Sequence, residues 1–223
     1  MDKLGYKITY TRRRSVALRV TLDGGIEVRA PRFVGRNFLD KFVSAKEAWI
    51  KKQREKIANM QQSRKQFAAG ERFLFLGKEY PLVVEGQFSQ KLRFNGEAFL
   101  ISKFKLAAAK SLFVAFYKLQ AQKILMEKLR HFAAVMRVQP KKMRITSAAT
   151  RWGSCSTSGT VSFSYKLIMT PEEIVNYVVV HELAHITHHN HSKNFWQEVA
   201  KYYPNHQEAR AWLRNHSYIS IDH

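Results

Sequence analysis

Two histidines and a glutamate near the carboxyl-terminal end of the chain have a spacing that serves metal-assisted hydrolysis. They form the pattern His181-Glu182-Leu183-Ala184-His185. On an α-helix, residues four apart lie on one face with their Cβ atoms about 5 to 6 Å apart, so one metal ion can lie between the two imidazoles. Glu182 is rotated by about 100° from His181, which keeps it off the metal but within reach of a water molecule. The spacing therefore predicts a zinc site with Glu182 as general base.

A catalytic zinc ion needs a third protein ligand, and the segment after His185 is rich in candidates. That segment is Ile186-Thr187-His188-His189-Asn190-His191. On a straight helix His188 would lie about 4.5 Å further along the axis than His185 and would miss the metal. A helix that ends near Asn190 would let His191 turn back towards it. We favour His191 as the third ligand. The alternatives are His188, Glu198 and Glu208.

A capped, apolar helix is predicted to carry these residues. Thr170 suits the N-cap, Pro171 the first helical position, and Glu173 the reciprocal carboxylate of a capping box. The residues that follow are apolar on most sides, so the helix should be buried among other elements. Two further helices are predicted after it, the first capped by Ser192 and the second by Asn205.

Other side chains in this part of the chain have less specific expected roles. Tyr202 or Tyr203 could donate a hydrogen bond to a developing oxyanion. Cys155 is expected to be a buried thiol, because free cysteine packs as a small apolar side chain, with a thiolate on the zinc as the alternative. The alternating segment Thr160 to Tyr165 is a candidate edge strand along which a peptide could pair.

Positive charge is concentrated in the first two thirds of the chain. Residues 1–150 contain 32 Lys+Arg and 11 Asp+Glu, whereas residues 151–223 contain 6 of each, so the net charge of +21 comes entirely from the first part. Binding of nucleic acid through its phosphates is therefore a hypothesis for that part. The candidate residues are Arg12, Arg13, Arg14, Lys51 and Lys52. The alternative is that these side chains form an ordinary solvated surface.

Composition and patterning exclude several classes of protein. The longest purely apolar run, Leu112 to Tyr117, is far shorter than the ~20 residues that a membrane-spanning helix needs. The first fourteen residues contain no apolar core of signal-peptide length, and a single cysteine cannot form an internal disulfide. With 45% hydrophobic residues the chain can bury a sizeable core, so we expect a folded protein. Because the sequence shows neither a membrane span nor a signal peptide, we expect it to be cytosolic.

Several segments together resemble the YgjP-like metallopeptidases over nearly the whole chain. In the carboxyl-terminal part these segments are Thr150-Arg151-Trp152-Gly153-Ser154-Cys155, Tyr177 to His185, Asn190-His191-Ser192 and Phe195-Trp196. In the amino-terminal part they are Asp23-Gly24, Val28-Arg29-Ala30-Pro31, Phe42-Val43, Lys46 with Trp49-Ile50, Gly70 to Phe73, and Leu76 to Pro81. The resemblance implies a zincin-type catalytic core with His181, His185 and His191 as ligands and Glu182 as base. It also implies kinship with the SprT-like and WLM-type families, which include proteases that act on proteins crosslinked to DNA.

The predicted fold class is α+β. An amino-terminal, basic part at residues 1–103, with antiparallel β-structure and a helix, is followed by a zincin-like helical core at residues 104–223 with a small β-sheet. The predicted strands are Lys7–Tyr10, Val16–Leu22, Ile26–Ala30, Phe73–Leu76, Tyr80–Val84, Lys91–Phe94, Ala98–Ile101, Met143–Ile145 and Thr160–Tyr165. The four strands between residues 73 and 101 are expected to form a meander of hairpins. Helices are predicted from Pro31 to about Met60 and from about Lys105 to Val138, with three more after residue 170.

These features favour a metallopeptidase that uses one zinc ion and a water molecule activated by Glu182 to hydrolyse a peptide or protein substrate. The first alternative is a metal-dependent nucleotide phosphohydrolase, because the same activated water can attack phosphorus. The second is a non-enzymatic nucleic-acid-binding protein with a structural zinc, although structural sites usually have four ligands and no use for Glu182.

Overall fold

The computed structural model describes residues 5–21, 23–62, 65–86, 92–216 and 219. The chain forms two compact units, Met1–Arg64 and Lys65–His223. This division differs from the boundary expected at residue 103. The strands between residues 72 and 102 share one hydrophobic core with the helices that follow them, so they belong to the second unit.

The first unit contains a three-stranded mixed sheet. Its strands are β1 (Lys7–Thr11), β2 (Ala17–Val20) and β3 (Ile26–Pro31), in the spatial order β1-β3-β2. The antiparallel arrangement expected here is correct for β2 and β3 and wrong for β1, which runs parallel to β3. β3 has the most buried apolar side chains of the three, so it takes the centre and the other two pair with its two edges. Leu22, at the end of the second predicted strand, lies outside the described residues.

Two helices complete the core of the first unit, where one continuous helix was expected. They are α1 (Arg36–Ser44) and α2 (Glu47–Gln62), and Ala45 and Lys46 separate them. Leu39, Val43 and Ile50 are buried against the inner face of the sheet. Phe38, before the break, and Trp49, after it, are exposed, although the helical period placed both on the apolar stripe.

The second unit begins with a four-stranded sheet. Its strands are β4 (Arg72–Phe75), β5 (Lys78–Glu85), β6 (Arg93–Phe94) and β7 (Phe99–Ser102), in the order β4-β5-β7-β6. The expected meander of hairpins is wrong at one pairing, because β5 and β7 are parallel. All four residues of β7 are buried, and a strand buried on both faces is favoured inside a sheet rather than at its edge.

A long helix connects this sheet to the carboxyl-terminal part of the unit. A short 3₁₀ helix, Lys103–Ala108, precedes α3 (Ala109–Met136). Arg137 ends α3 in the left-handed conformation, with φ 55°, one residue before the predicted end of this helix at Val138. Phe113, Tyr117 and Leu125 of α3 are fully buried in a core that also includes the helix carrying His181 and Glu182.

A third small sheet follows α3. Its strands are β8 (Lys142–Thr146), β9 (Gly153–Cys155) and β10 (Thr160–Ser164), in the order β8-β10-β9. The expectation that Thr160 to Tyr165 forms an exposed edge is wrong. β10 is the central strand, paired in parallel with β8 and antiparallel with β9, because Val161 and Phe163 are fully buried. β9 is therefore an edge strand of this sheet.

Three helices end the second unit. They are α4 (Glu172–Ala184), α5 (Lys193–Tyr202) and α6 (His206–Asn215). The capping box expected at α4 is not formed. Pro171 occupies the N-cap, and the hydroxyl of Thr170 donates instead to the carbonyl of Leu167 at 2.7 Å. Ser192 caps α5 as expected by accepting from the backbone N–H of Phe195, whereas Asn205 stands at the N-cap of α6 without a side-chain hydrogen bond.

The six α-helices and three small sheets of the described residues confirm the α+β class. No helix in that part of the chain combines the length and the apolar character that crossing a membrane requires.

Candidate metal centre

The candidate centre lies at the carboxyl-terminal end of α4. His181 and Glu182 belong to the last turns of this helix, and His185 is the residue directly after it. Most residues of α4 are apolar and buried in the core of the unit. The polar residues of this helix therefore have apolar surroundings. The helix ends at Ala184, earlier than the end near Asn190 that we expected, and a turn follows in which the N–H of His188 donates to Ala184.

Three imidazoles converge at this end of the helix. In the part of the chain that the structure describes, the one group of His, Cys, Asp or Glu side chains able to hold a metal ion consists of His181, His185 and His191. Their candidate ligand atoms lie within 4.8 Å of one another, and the Nε2 atoms of His181 and His191 are 3.2 Å apart. The early end of α4 lets the following loop bring His191 back beside the helix. Neither Glu198 nor Glu208 belongs to this group.

Hydrogen bonds to the other ring nitrogens orient two of these imidazoles. The Nδ1 atom of His185 is 3.0 Å from the backbone carbonyl of His188, and the Nδ1 atom of His181 is 3.4 Å from the hydroxyl of Tyr177. A hydrogen bond at Nδ1 leaves Nε2 free for a metal and fixes the direction of the ring. His188 thus contributes its backbone carbonyl to the centre, while its side chain lies outside the group of three.

Aromatic rings of α5 surround the third imidazole. The ring of His191 stacks on Trp196, with 5.6 Å between centroids and 26° between planes, and lies 4.8 Å from Phe195. Trp196 also stacks with His206 of α6, with centroids 5.6 Å apart. His191 lies on a loop and is exposed, so these ring contacts restrict an imidazole that no helix holds.

Glu182 is buried beside the three imidazoles. The residue is 5% exposed, and its Oε2 atom has no hydrogen-bond partner among the described residues. Burial raises the pKa of this carboxyl to about 8. β9 packs directly on it, since a Cβ atom added to Gly153 would lie 2.5 Å from Oε1 of Glu182. A buried polar atom without a hydrogen-bond partner lowers the stability of the fold. Such an atom is typical of a group that binds a ligand or takes part in a reaction.

His181 and His185 are held in their neutral, metal-binding form. Burial, followed by the charges of His185, His191 and Arg210, lowers the pKa of His181 to about 3. Burial is also the largest cause that lowers the pKa of His185. A neutral imidazole keeps the lone pair that a metal ion needs, so these two residues can bind one at neutral pH without first losing a proton.

A cleft of about 460 Å³ opens onto this centre. One side is formed by Trp152 and Gly153 at the start of β9, and another by residues of α5 and α6. The residues that line it are Trp152, Gly153, Tyr177, Val178, His181, Glu182, His191, Trp196, Arg210 and Leu213. His191 and Glu182 therefore face a space that can admit part of a substrate chain.

Comparison with known proteins gives a decisive match. The model of the YgjP-like metallopeptidase domain matches residues 14–216. The chain belongs to the YgjP-like metallopeptidase family. Among solved structures, the metallopeptidase zymogen of Pyrococcus abyssi abylysin matches with 25% sequence identity and a TM-score of 0.39, over 42% of this chain and 95% of that one. No curated protein matches the chain.

Some residues in the cleft of this YgjP-like metallopeptidase were not singled out from the sequence. Tyr177 could have been found, because it lies one helical turn before His181 on the same face of α4. Trp152 and Gly153 belong to a segment that resembles the YgjP-like family, but the sequence assigns them no role. Arg210 gave no signal, since it reaches the cleft through the packing of α6, which no local pattern encodes.

Tyr202, Tyr203 and Cys155, for which the sequence suggested a role at the centre, do not line the cleft of this YgjP-like metallopeptidase. The ring of Tyr203 is nevertheless 5.6 Å from that of Tyr177. Cys155 is half-buried rather than buried, and burial raises the pKa of its thiol. It lies outside the group of three imidazoles.

The basic residues predicted to bind nucleic acid all belong to the first unit. Arg12, Arg13 and Arg14 lie in the loop between β1 and β2, where Arg12 and Arg14 are exposed. Arg13 is partly buried, and its guanidinium donates to the hydroxyl of Ser15 at 3.4 Å. Lys51 and Lys52 are exposed on α2.

Proposed function

We propose that this protein is a zinc-dependent peptidase in which His181, His185 and His191 hold one zinc ion and Glu182 is the general base. The observation that carries the proposal is the convergence of three imidazoles beside a buried carboxyl whose Oε2 atom has no hydrogen-bond partner, in a member of a metallopeptidase family. A buried carboxyl with a free oxygen at such a centre is the arrangement that general-base chemistry requires.

The three side chains fit a zinc ion by their chemistry. Zinc prefers nitrogen and sulfur ligands, and catalytic zinc sites have three protein ligands with one position left open. The hydrogen bonds at Nδ1 of His181 and His185 support binding through Nε2. When bound, the metal supplies Lewis-acid activation of a water molecule and of the scissile carbonyl.

Glu182 performs the proton transfers in this proposal. Its free Oε2 atom accepts the proton of the attacking water molecule and then gives that proton to the nitrogen of the leaving amine. Close packing against Gly153 limits the positions that the carboxyl can take. A metal ion held by the three imidazoles would favour the ionised carboxylate through its positive charge, which would offset the effect of burial and prepare Glu182 to act as a base.

The peptide substrate is proposed to lie along β9. Among the described residues, β9 pairs only with β10, and it reaches the cleft at Gly153. An extended peptide added to its free edge would gain main-chain hydrogen bonds and pass in front of Glu182. β9 thus replaces the segment Thr160 to Tyr165 as the strand expected to receive the substrate.

The other two functions considered from the sequence are less well supported. Membership of a metallopeptidase family favours a peptide bond over a phosphoester as the bond that is hydrolysed. A structural zinc site normally has four ligands, whereas the group at this centre has three and faces an open cleft. A buried carboxyl without a partner would also bring only a cost to a structural site.

Nucleic acid is proposed as a second type of partner, bound by the first unit. Residues 1–64 contain 16 Lys+Arg and 6 Asp+Glu, and four of the five candidate cations there are exposed. Such a charge favours binding to phosphates through release of counterions, with little dependence on base sequence.

The peptidase proposal is tested with the full chain loaded with one equivalent of zinc and incubated with a complex mixture of peptides. Mass spectrometry of the products should show cleavage that Glu182→Gln abolishes while zinc remains bound, because an amide cannot accept the proton; the expected loss is on the order of 10²-fold or more. The matched control is Glu208→Gln, an exposed glutamate on α6, which should leave cleavage unchanged. Equal cleavage by wild type and Glu182→Gln would remove Glu182 from the mechanism.

A further inference from the structure

An arginine lies in the wall of the cleft. Arg210, on α6, lines the same cleft as His181, Glu182 and His191. Its guanidinium carbon lies 4.8 Å from the ring centroid of Trp196, whose indole also stacks on His191. Trp196 therefore contacts both the guanidinium of Arg210 and the imidazole of His191.

Arg210 has no carboxylate within ion-pair distance among the described residues. Two other cations of the second unit have such a partner, since Arg72 lies 3.4 Å from Glu79 and Lys128 pairs with Glu172. The only polar or aromatic contact of the Arg210 guanidinium in the described part of the chain is with Trp196. Five N–H donors of a permanently charged group therefore stay available at the cleft.

Arg210 lies close to the residues of the centre. It lines the cleft together with His181 and Tyr177 of α4, so its cation is near enough to favour an anionic group placed there.

We propose that Arg210 binds a carboxylate of the substrate, so that the protein prefers peptides with a carboxylate close to the scissile bond. This inference rests on the proposed peptidase function. A guanidinium presents parallel donors that match the two oxygens of a carboxylate, and contact with the Trp196 face restricts the rotamers of the side chain before the substrate arrives. The carboxylate is supplied either by an aspartate or glutamate side chain or by the carboxyl terminus of the peptide.

Two sets of peptides distinguish the sources of the carboxylate. In the first, a single Asp is moved through the positions of an alanine hexapeptide with both ends blocked, and each peptide is matched with its Asn analogue. In the second, the all-alanine hexapeptide carries a free or an amidated carboxyl terminus. Binding is measured by calorimetry to the zinc-loaded Glu182→Gln protein, which keeps the peptides intact, and kcat/KM is measured with the zinc-loaded protein that retains Glu182.

In one of the two sets, the peptide with the carboxylate should bind about 10-fold or more tightly than its neutral partner, which is typical of a hydrogen bond to a charged group. Arg210→Gln should reduce that ratio to about one, while Arg210→Lys should keep part of it. Arg214→Gln is the matched control, because Arg214 is an exposed arginine on the same helix that does not line the cleft.

The outcomes separate this inference from the peptidase proposal. Cleavage without any preference for a carboxylate, or a preference that Arg210→Gln leaves unchanged, would overturn the role of Arg210 and leave the peptidase function standing. A preference in binding that depends on Arg210, with no peptide cleaved by the zinc-loaded protein, would support the role of Arg210 and contradict the peptidase function.

Discussion

Gly153 leaves no room for a side chain beside Glu182. A Cβ atom at this position would lie 2.5 Å from Oε1 and 2.7 Å from Cγ of Glu182. The first residue of β9 thus sets how closely the edge strand approaches the carboxyl at the end of α4.

The substitution Gly153→Ala tests this relationship. We expect it to displace Glu182 or the strand by several tenths of an ångström or more, because both are packed on fixed elements. Peptide cleavage should fall by about 10²-fold, and unfolding in urea should show a loss of about 1 to 3 kcal/mol from overpacking. Ser154→Ala, one residue further along β9, is the control and should change cleavage little. Full cleavage by Gly153→Ala would show that the close approach has no part in the mechanism.

The second prediction concerns the pH dependence of the metal-free protein. Burial raises the pKa of Glu182 from 4.5 to about 8, so between these values the folded form keeps a proton that the unfolded form has lost. Raising the pH through this range must therefore destabilise the folded form, by up to about 1.4 kcal/mol per pH unit. The stability that the protonated carboxyl contributes is complete below pH 4.5 and lost as the pH approaches 8.

Glu182→Gln supplies the reference for that measurement, because its amide does not titrate. The free energy of unfolding in urea should fall for wild type relative to Glu182→Gln as the pH rises from 5 to 8. His181 titrates in both proteins, so its contribution cancels in the difference to first order. A difference that stays constant over this range would contradict the burial of the Glu182 carboxyl.

Trp196 is predicted to set the affinity for zinc through His191. Its indole stacks on the one imidazole of the three that lies in a loop, so Trp196→Ala should release that ring and weaken zinc binding by about 10- to 100-fold. Competition with a chelator of known affinity measures the change. Trp212→Ala removes another tryptophan that stacks on a histidine, His216, outside the cleft, and should leave zinc affinity unaltered.

The basic loop of the first unit is predicted to bind duplex DNA electrostatically. The log of the affinity should fall with the log of the salt concentration at a slope of about 0.9 per phosphate contacted. Replacing Arg12, Arg13 and Arg14 together with glutamine should reduce both affinity and slope, whereas His185→Ala should change neither. An affinity for DNA that does not change with salt concentration, or no binding at low salt, would contradict this prediction. These arginines would then be part of an ordinary solvated surface.

The local part of the candidate site could be predicted from the sequence. His181, Glu182 and His185 depend only on helical spacing, and the placement of His191 requires only that the helix end before it. The sequence predicted that end too late, and the early stop at Ala184 is what lets the carbonyl of His188 reach His185.

The parts that depend on contacts between distant segments could not be predicted. Periodicity identified the strand around Phe163 but not its central place in the sheet, because the pairing partner is chosen by burial of the whole unit. The approach of Gly153 to Glu182 and of Arg210 to the cleft depends on the packing of β9 and α6 around α4. A similar reason applies to β5 and β7, whose parallel pairing no hairpin signal could reveal.

The choice of metal ligands is tested most directly by measuring zinc per chain in His191→Ala beside His188→Ala. Both proteins lose one imidazole from the same loop, but only His191 belongs to the converging group, and His188 contributes through its backbone carbonyl, which alanine retains. After dialysis against a weak chelator, we expect about one zinc per chain in wild type and His188→Ala and far less in His191→Ala. Full occupancy in His191→Ala, with zinc lost from His188→Ala, would contradict the proposed centre.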